Sequence, residues 1–351
     1  MSPPTIPASR VMEETANGLF FIVGCGRSGT TLLQVMLDSH SEIALPNETH
    51  FFCVLHRRNH QRIGSLETPG SFEKALDLAL SYEHIEPIGL DRERVRELAA
   101  TRPPSWEALF LALMAAFREL RGVTRVGEKT PAHVLYLQRL YREYPHARFI
   151  HVIRDPRGVI ASYLKAPFYR KFQGNPYHAI NSWRSAIDIH FAAQEGLDPA
   201  RYTSVRYEDL VESPRSELQR LSGFLGIPFE ERMLEFHTRS NSGFLQGETH
   251  KLGTLKPVYR ESTELWHKDL SPKMLELIEG ALGTRMKALG YGIEARPGNW
   301  KSRVQMGLLF LEYKTRVRVR RVLEFLGLLK GMDLGGIAEP PPQDSLTSSS
   351  P

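Results

Sequence analysis

The feature that most constrains this chain is a short apolar run, LFFIVGC, that leads directly into the glycine-rich loop GCGRSGTT. The run covers Leu19–Cys25, is rich in aromatic and branched residues, and predicts a buried strand. Thr30 and Thr31 begin the stretch TTLLQVMLDSH, whose apolar residues recur at helical spacing. A loop of this kind turns its amides and the following helix N-terminus toward one point. The sequence therefore predicts an anion-binding loop in an α/β fold.

The residue types in this loop narrow the class of anion. Gly24 and Gly29 have the spacing of a phosphate loop, but Thr30 stands where a nucleotide hydrolase carries lysine. In such hydrolases the lysine contacts the outer phosphates and the last hydroxyl residue holds magnesium. Here Arg27 supplies the positive charge from within the loop. The loop thus favours a terminal phosphate or phosphosulfate over a magnesium triphosphate, and the alternative is a plain glycine turn with Arg27 on the surface.

The rest of the chain alternates predicted strands and helices. A second apolar run covers residues 148–153, and another strand is predicted at Arg201–Tyr207. This alternation predicts an α/β fold, a single P-loop-type domain with a central parallel sheet flanked by helices and ligands at the carboxyl ends of the strands. Helices are predicted at Phe72–Tyr82, Asp91–Ala100, Ser105–Leu120, Ala132–Tyr144, Pro156–Leu164, Pro214–Leu225 and Leu270–Leu289.

Composition divides the chain into four parts. We expect a flexible N-terminus at 1–17, the main domain at 18–295, a basic amphipathic helical extension at 296–334 and a Pro/Ser-rich disordered tail at 335–351. The net charge is +5, yet residues 300–330 alone hold eight Lys or Arg against two Glu. Since the basicity lies in this extension, the main domain gives no reason to expect a nucleic-acid partner.

Two functions for the basic stretch at 301–330 remain open. It is either a membrane-surface helix or a helix that packs on the main domain or on a second subunit of a homodimer. The alternation of arginine and valine over 316–320 interrupts a clean helical face and favours packing.

Cysteines and targeting signals set the expected compartment. The chain has two cysteines, Cys25 and Cys53, and neither lies in a metal-ligand spacing, so we assign no metal. The start lacks the pattern of a signal peptide, and no window reaches eighteen uninterrupted apolar residues. We therefore expect a cytoplasmic protein, with peripheral membrane contact as the alternative.

Two segments of this sequence resemble those of sulfotransferases that use 3′-phosphoadenosine 5′-phosphosulfate (PAPS). GCGRSGTTLLQVML resembles their 5′-phosphosulfate loop, and RFIHVIRDPRGVIASYLK is similar to their 3′-phosphate segment. In that segment an arginine ends a strand and a serine follows eight residues later, which corresponds to Arg154 and Ser162. The resemblance is greatest to the tyrosylprotein-type and related bacterial members. It implies PAPS as co-substrate, with the 5′ end held by Arg27, Ser28, Gly29, Thr30 and Thr31.

Two further stretches extend the resemblance to roughly residues 18–292. VRYEDL resembles the family's strand and helix near the nucleotide, which places Tyr207 there. The alternative for Tyr207 is a core tyrosine with its hydroxyl satisfied locally. LKPVYRESTELW is similar to a loop that closes over PAPS, which makes Lys256 a donor-binding residue.

The same resemblance implies a catalytic set of Glu48, Lys129 and Arg27. Glu48 corresponds to the glutamate base of tyrosylprotein-type members, and Lys129 to the lysine that supports the transition state. From the residues alone, the alternative for Glu48 is a salt-bridge partner of the cationic loop, and the alternative for Lys129 is an exposed lysine before a turn. His133 is the rival base, because cytosolic small-molecule sulfotransferases use a histidine after a comparable lysine–threonine pair.

The function expected is therefore in-line transfer of a sulfuryl group to an acceptor hydroxyl, without metal. Two other classes stay open: a nucleotide kinase or NTPase on the same loop, and a non-catalytic nucleotide-binding adaptor. The acceptor class is left open among carbohydrate, lipid-linked, phenolic and peptide hydroxyls. We expect the helices between Phe51 and Leu120 and around Asn175–Glu195 to form the acceptor pocket.

Overall fold

The computed structural model describes residues 6–166, 175–238, 263–294 and 300–325. Five parallel strands form one sheet in the order β2-β3-β1-β4-β5. The strands are β1 (Phe20–Gly24), β2 (Ile43–Ala44), β3 (Arg125–Lys129), β4 (Arg148–Ile153) and β5 (Tyr202–Arg206). The α/β fold with a central parallel sheet is the one that the sequence predicted.

Fourteen α-helices are described. They are α1 (Ala8–Gly18), α2 (Thr30–Asp38), α3 (Arg57–Ile63), α4 (Ser71–Leu80), α5 (Arg92–Ala99), α6 (Trp106–Arg121), α7 (Leu137–Glu143), α8 (Pro156–Lys165), α9 (Tyr177–Gly196), α10 (Tyr207–Glu212), α11 (Pro214–Leu225), α12 (Trp266–Asp269), α13 (Pro272–Ala288) and α14 (Trp300–Phe325). A π-helix covers Phe51–His56, and short 3-10 helices cover Glu86–Ile88, Pro131–Tyr136, Glu231–Met233 and Phe236–Thr238.

Alternation along β1 builds a core on each face of the sheet. Phe20 and Ile22 pack with residues of α2 and α11 on one face. Phe21 and Val23 pack on the other face with residues of α1, α6, α9 and α13. All five residues of β1 are buried, as expected for a central parallel strand covered by helices on both sides.

The N-terminus differs from the flexible segment predicted for residues 1–17. Residues 8–18 form α1, in which Val11 and Met12 are buried in the core beside α6. The Thr15 hydroxyl donates to the Val11 carbonyl, and Glu14 pairs with Arg118 of α6 at 3.2 Å. The described part of this segment therefore belongs to the packed domain, because its apolar residues recur at helical spacing.

One long excursion interrupts the regular alternation. Between the end of β2 and the start of β3 the chain forms the π-helix and then α3, α4, α5 and α6. β2 was not predicted, since a two-residue strand has no periodicity to detect. The carboxyl ends of β1, β3, β4 and β5 all lie at one edge of the sheet, because the strands are parallel.

Helix α14 packs on the main domain through one face. Met306 and Leu309 contact the core, and the Tyr313 ring packs at a tilt against Tyr177 of α9 with ring centroids 5.4 Å apart. The Asn175 side-chain amide donates to the Leu309 carbonyl at 3.1 Å. None of the helices described is long and apolar enough to cross a membrane. The predicted disordered tail at 335–351 lies outside the described residues, as does the end of the extension, 326–334.

Candidate active site

Two glycines of the loop between β1 and α2 have positive φ. Gly24 has φ +151°, and a Cβ there would lie 2.5 Å from the Val152 carbonyl oxygen of β4. Gly29 has φ +94°, and a Cβ there would lie 2.3 Å from a ring carbon of Tyr207. Arg27 also has a left-handed backbone, at φ 67°, which is uncommon for a residue with a side chain. Such strain is found where surrounding structure fixes a functional loop.

Arg27 joins this loop to the segment after β4. Its Nε donates to the Ser162 hydroxyl at 3.0 Å, and its carbonyl accepts from Arg154 Nη1 at 3.2 Å. The Arg154 guanidinium carbon lies 4.1 Å from the centre of the Tyr207 ring. Burial lowers the pKa of Arg27, and the positive charge of Arg154 lowers it further. Two guanidinium groups held this closely in a half-buried place favour an anion as their ligand.

The backbone around Arg154 is fixed by hydrogen bonds that the sequence did not predict. Trp183 Nε1 of α9 donates to the Arg154 carbonyl, and the Asp155 amide donates to Glu208, each at 2.9 Å. Burial raises the pKa of Glu208, whose other oxygen accepts from the Tyr291 hydroxyl. These contacts join β4 to α9, α10 and the chain after α13, so that Arg154 is positioned from three sides.

A second group of side chains lies beside the loop. The Lys129 ammonium, at the end of β3, is fully buried and forms an ion pair with Glu48. The same nitrogen lies 3.4 Å from the Thr31 hydroxyl at the start of α2. The other carboxylate oxygen of Glu48 lies 3.4 Å from His50 Nε2. The structure thus places the predicted base and the predicted lysine in direct contact, next to the predicted donor loop.

His133 is engaged in a different, fully buried network. Its Nδ1 contacts Glu128 at 2.7 Å, and its Nε2 accepts from the Phe52 amide at 3.2 Å. Glu128 also accepts from the hydroxyls of Thr49 and Thr130, at 2.9 and 2.6 Å. Burial alone raises the pKa of Glu128, but attraction to His133 and these hydrogen bonds hold it below its ordinary value. Both ring nitrogens of His133 are therefore occupied, and the network anchors the backbone next to Glu48.

One buried polar atom in the loop lacks a partner among the described residues. The Ser28 hydroxyl is inaccessible to solvent and makes no hydrogen bond there. A buried hydroxyl without a partner is costly, and its position within the anion loop suits a donor to a bound phosphate or sulfate oxygen. No group of three His, Cys, Asp or Glu in the described ranges could hold a metal ion.

The cysteine of the loop is buried against α8. Cys25 is buried, and burial raises the pKa of its thiol to about 12. Its hydrogen-bond partner is Tyr163 of α8, whose pKa burial also raises well above the ordinary value. Tyr163 leaves no room for a side chain at Gly26, where a Cβ would lie 2.5 Å from the hydroxyl. This pair packs the loop against α8.

Most of the residues predicted from sequence converge at the strand ends, and one cannot be placed. Thr30 is buried at the first position of α2. Lys256 lies outside the described residues. The residues brought into one neighbourhood are Arg27, Ser28, Gly29, Thr31, Glu48, Lys129, Arg154, Ser162 and Tyr207.

Comparisons with known proteins agree with this arrangement. Protein-tyrosine sulfotransferase 2 of Gallus gallus is 25% identical over 296 residues, which cover 80% of this chain and 71% of that protein. The omega-hydroxy-beta-dihydromenaquinone-9 sulfotransferase of Mycobacterium bovis is 28% identical over 260 residues, which cover 62% and 65% of the two chains. The sulfotransferase domain of the Synechococcus PCC 7002 olefin synthase superposes with a TM-score of 0.56 at 25% identity, covering 79% of this chain and 96% of that domain.

The decisive comparison covers the elements that build the site. Residues 20–231 match the sequence profile of the Sulfotransferase family, a range that includes the loop after β1, Glu48, Lys129, Arg154 and Tyr207. The sulfuryl-transfer chemistry expected from the two anion-binding segments is thereby confirmed, and nothing supports the kinase alternative. This chain belongs to the Sulfotransferase family and is a sulfotransferase.

Proposed function

We propose that the chain transfers a sulfuryl group from PAPS to an acceptor hydroxyl, with Glu48 as the base and without a metal ion. The observation that carries the proposal is the contact between two predicted groups. Lys129 pairs with Glu48 and lies 3.4 Å from Thr31, which stands in the same loop-to-helix turn as Arg27. A base, a buried cation and an anion loop therefore meet in one place, as in-line transfer requires.

The donor end is formed by the loop after β1 and the turn after β4. Ser28 has a buried hydroxyl without a partner in the described part of the chain, and Arg27 adds a positive charge beside it. We assign the 5′-phosphosulfate to this loop and to the N-terminus of α2, which begins at Thr30. Arg154, Ser162 and Tyr207 then hold the 3′-phosphate side, and Lys256 is proposed from sequence alone.

The acceptor end is formed by Glu48 and Lys129. As the acceptor oxygen forms its bond to sulfur, the bond from sulfur to the 5′-phosphate oxygen breaks, and the acceptor proton passes to the Glu48 carboxylate. Negative charge then grows on the leaving phosphate oxygen. The Lys129 ammonium lies between Glu48 and Thr31, where it can stabilise that charge.

The rival base His133 is disfavoured by its hydrogen bonds. Its Nε2 accepts from the Phe52 amide, so this lone pair is not available to an acceptor proton. Its Nδ1 is directed to Glu128, and the side chain is fully buried. A general base must first reach the proton that it removes. Glu48 is part-exposed, at 19% of its side chain, and meets that condition better.

The acceptor class is proposed only as a hydroxyl compound. One relative is named for protein tyrosine and another for an omega-hydroxy menaquinone, so similar chains serve both a phenolic and a lipid-linked hydroxyl. The identities of 25% and 28% do not favour one of them for this chain.

Glu48→Gln tests the assignment of the base. We expect turnover to fall about 10²-fold or more, because general-base catalysis contributes about 10² to 10⁴. Affinity for 3′-phosphoadenosine 5′-phosphate (PAP) should stay near that of the unchanged protein. Turnover and PAP affinity are measured in buffer that contains a metal chelator, so that the same assays test whether activity requires a metal ion. Glu83→Gln is the matched control, since Glu83 is an exposed carboxylate that also faces a histidine.

A parallel variant separates the two base candidates. His133→Asn is assayed with a thermal melt, because the loss of a buried hydrogen bond lowers stability whether or not catalysis is affected. The proposal is wrong if Glu48→Gln keeps full turnover while a folded His133→Asn protein loses it.

A further inference from the structure

Helix α14 has a second face that nothing in the described chain covers. Trp300, Val304, Leu308 and Leu311 are 70%, 51%, 62% and 60% exposed. Their spacing of four, four and three residues aligns them as one stripe along the helix. We call these four residues the outer stripe. The opposite face, with Met306 and Leu309, packs on the domain, so the helix is held in place while the outer stripe faces solvent.

The sequence of the segment that carries the outer stripe is strongly basic. Residues 300–330 contain eight Lys or Arg and two Glu. Among the side chains described on α14, Arg318 is exposed, and Lys314 and Arg316 are half-buried. Of the two glutamates, the side chain of Glu312 is described, and it pairs with Arg316 within the helix. A partner for this surface must therefore be both apolar and anionic.

Three kinds of partner can be compared by these two requirements. A second copy of the chain packed through the same stripe would bring two basic helices side by side, which costs Coulomb energy. A nucleic acid would satisfy the charge, but its surface offers little to four apolar side chains. An anionic lipid bilayer satisfies both requirements, and tryptophan is enriched at such interfaces.

We propose that the outer stripe docks α14 on an anionic lipid surface. The helix then lies in the interface, since it is not apolar enough to cross a bilayer. The sequence left membrane contact and packing as alternatives. In this helix the two are compatible, because they use opposite faces.

Docking through α14 would hold the donor loop close to the membrane. Tyr313 of α14 stacks on His178, with ring centroids 6.1 Å apart, and His178 meets the edge of Tyr163 at 6.2 Å. Tyr163 contacts the loop at Gly26. Two aromatic rings therefore separate the membrane-facing helix from the side chain that packs the anion loop. These contacts connect the proposed lipid-binding helix to the proposed active site. The proposal does not depend on which acceptor the enzyme uses.

The four tryptophans of the chain give a site-specific measurement. Trp106, Trp183 and Trp266 are buried, whereas Trp300 is 70% exposed. We expect a blue shift of tryptophan emission when the full chain binds vesicles that contain about one quarter phosphatidylserine. Brominated lipid should quench this emission. Trp300→Phe should still sediment with the vesicles but lose the shift, because the three remaining tryptophans are already shielded from water.

Charge and apolar contact are tested separately. Sedimentation should weaken as salt rises from about 0.1 M to about 0.5 M, since the lipid charge is then screened. Arg318→Ala should weaken binding about fivefold, the effect of one basic residue near such a surface. Leu308→Glu should weaken it about tenfold or more, as expected for losing one buried leucine. Leu120→Glu is the control, because Leu120 is 58% exposed on α6 and outside the stripe.

Three outcomes would overturn the proposal. The first is equal binding to neutral and anionic vesicles, or none to either. The second is an affinity for anionic vesicles that is unchanged in Leu308→Glu and equal to that of the control Leu120→Glu. The third is the absence of vesicle binding together with a dimer in light scattering that becomes a monomer in Leu308→Glu. This result would assign the outer stripe to contact with a second copy of the chain. A thermal melt of each variant shows that the domain is folded, and none of these measurements depends on catalysis.

Discussion

Replacing Arg154 by alanine removes one of the two guanidinium groups that converge at the proposed donor site. The group donates to the Arg27 carbonyl at 3.2 Å and stacks on Tyr207, with 4.1 Å between the guanidinium carbon and the ring centre. Its backbone is fixed independently, by the bond from Trp183 Nε1 to its carbonyl. The variant should therefore lose the side chain without moving the end of β4.

The expected loss of affinity follows from these contacts. A hydrogen bond to a charged group contributes about 1.5 to 3 kcal/mol net, which corresponds to about 10- to 150-fold in the dissociation constant of PAP. The repulsion between Arg154 and Arg27, which lowers the pKa of Arg27, is present both with and without PAP and therefore does not change this range. We expect a loss of affinity within it. The affinity of Arg154→Lys for PAP should lie between those of the unchanged protein and Arg154→Ala, since lysine keeps the charge but not the planar guanidinium group.

Titration calorimetry with PAP in a chelator measures the effect. Arg148→Ala is the matched control: Arg148 stands at the other end of β4 and donates to the Leu225 carbonyl at 2.8 Å. We expect the control to bind PAP normally. If Arg154→Ala also binds PAP with unchanged affinity while the melts show folded protein, Arg154 does not hold the nucleotide and the assignment of the second anion segment is wrong.

Two further predictions concern the loop and the core. Gly29→Ala should lower the free energy of unfolding by about 1 to 3 kcal/mol and weaken PAP binding, because Gly29 has a positive φ and its backbone lies close to the Tyr207 ring. An unchanged melting temperature and an unchanged affinity for PAP would contradict this prediction. His151 and His190 share the buried hydroxyl of Tyr202, and burial lowers both pKa values, that of His190 to about 4. The unfolded chain therefore binds protons first as pH falls below about 6.5, so the free energy of unfolding should decrease from there toward pH about 4. Urea titrations at several pH values test this, and an equal pH slope in His190→Gln would count against it.

The elements that sequence predicted best are those specified by local patterns. The apolar run of β1, the glycine loop and the helical spacing after Thr30 are contiguous, so each could be identified without knowing the fold. Arg154 was placed at a strand end through the resemblance, and in the parallel sheet this end lies at the same edge as the end of β3, where Lys129 stands. The resemblance implied that Lys129 and Glu48 act together, but their contact was not predicted, because the two residues are eighty-one positions apart.

What the sequence did not reveal are contacts between side chains that are distant in the chain. Glu128 stands beside Lys129, but its bonds to Thr49 and His133 depend on how β3 lies against the excursion after β2. His133 was therefore weighed as a base, although the fold uses both of its ring nitrogens. At the N-terminus a detectable signal was present, since Val11, Met12 and Thr15 have helical spacing, but neighbouring prolines and glutamates favoured a flexible segment.

The ion pair between Glu48 and Lys129 also connects two parts of the chain that are distant in sequence. Glu48 stands just before the π-helix that opens the long excursion, and Lys129 ends the strand that follows it. The pair that we propose for catalysis thus joins the two ends of this excursion. Glu48 and Lys129 lie outside α3 to α6, so a change of length within these helices leaves both members of the ion pair in the sequence. Because the acceptor pocket is expected from sequence between Phe51 and Leu120, we expect substitutions in this one contiguous segment to change the acceptor while the proposed catalytic pair stays in place.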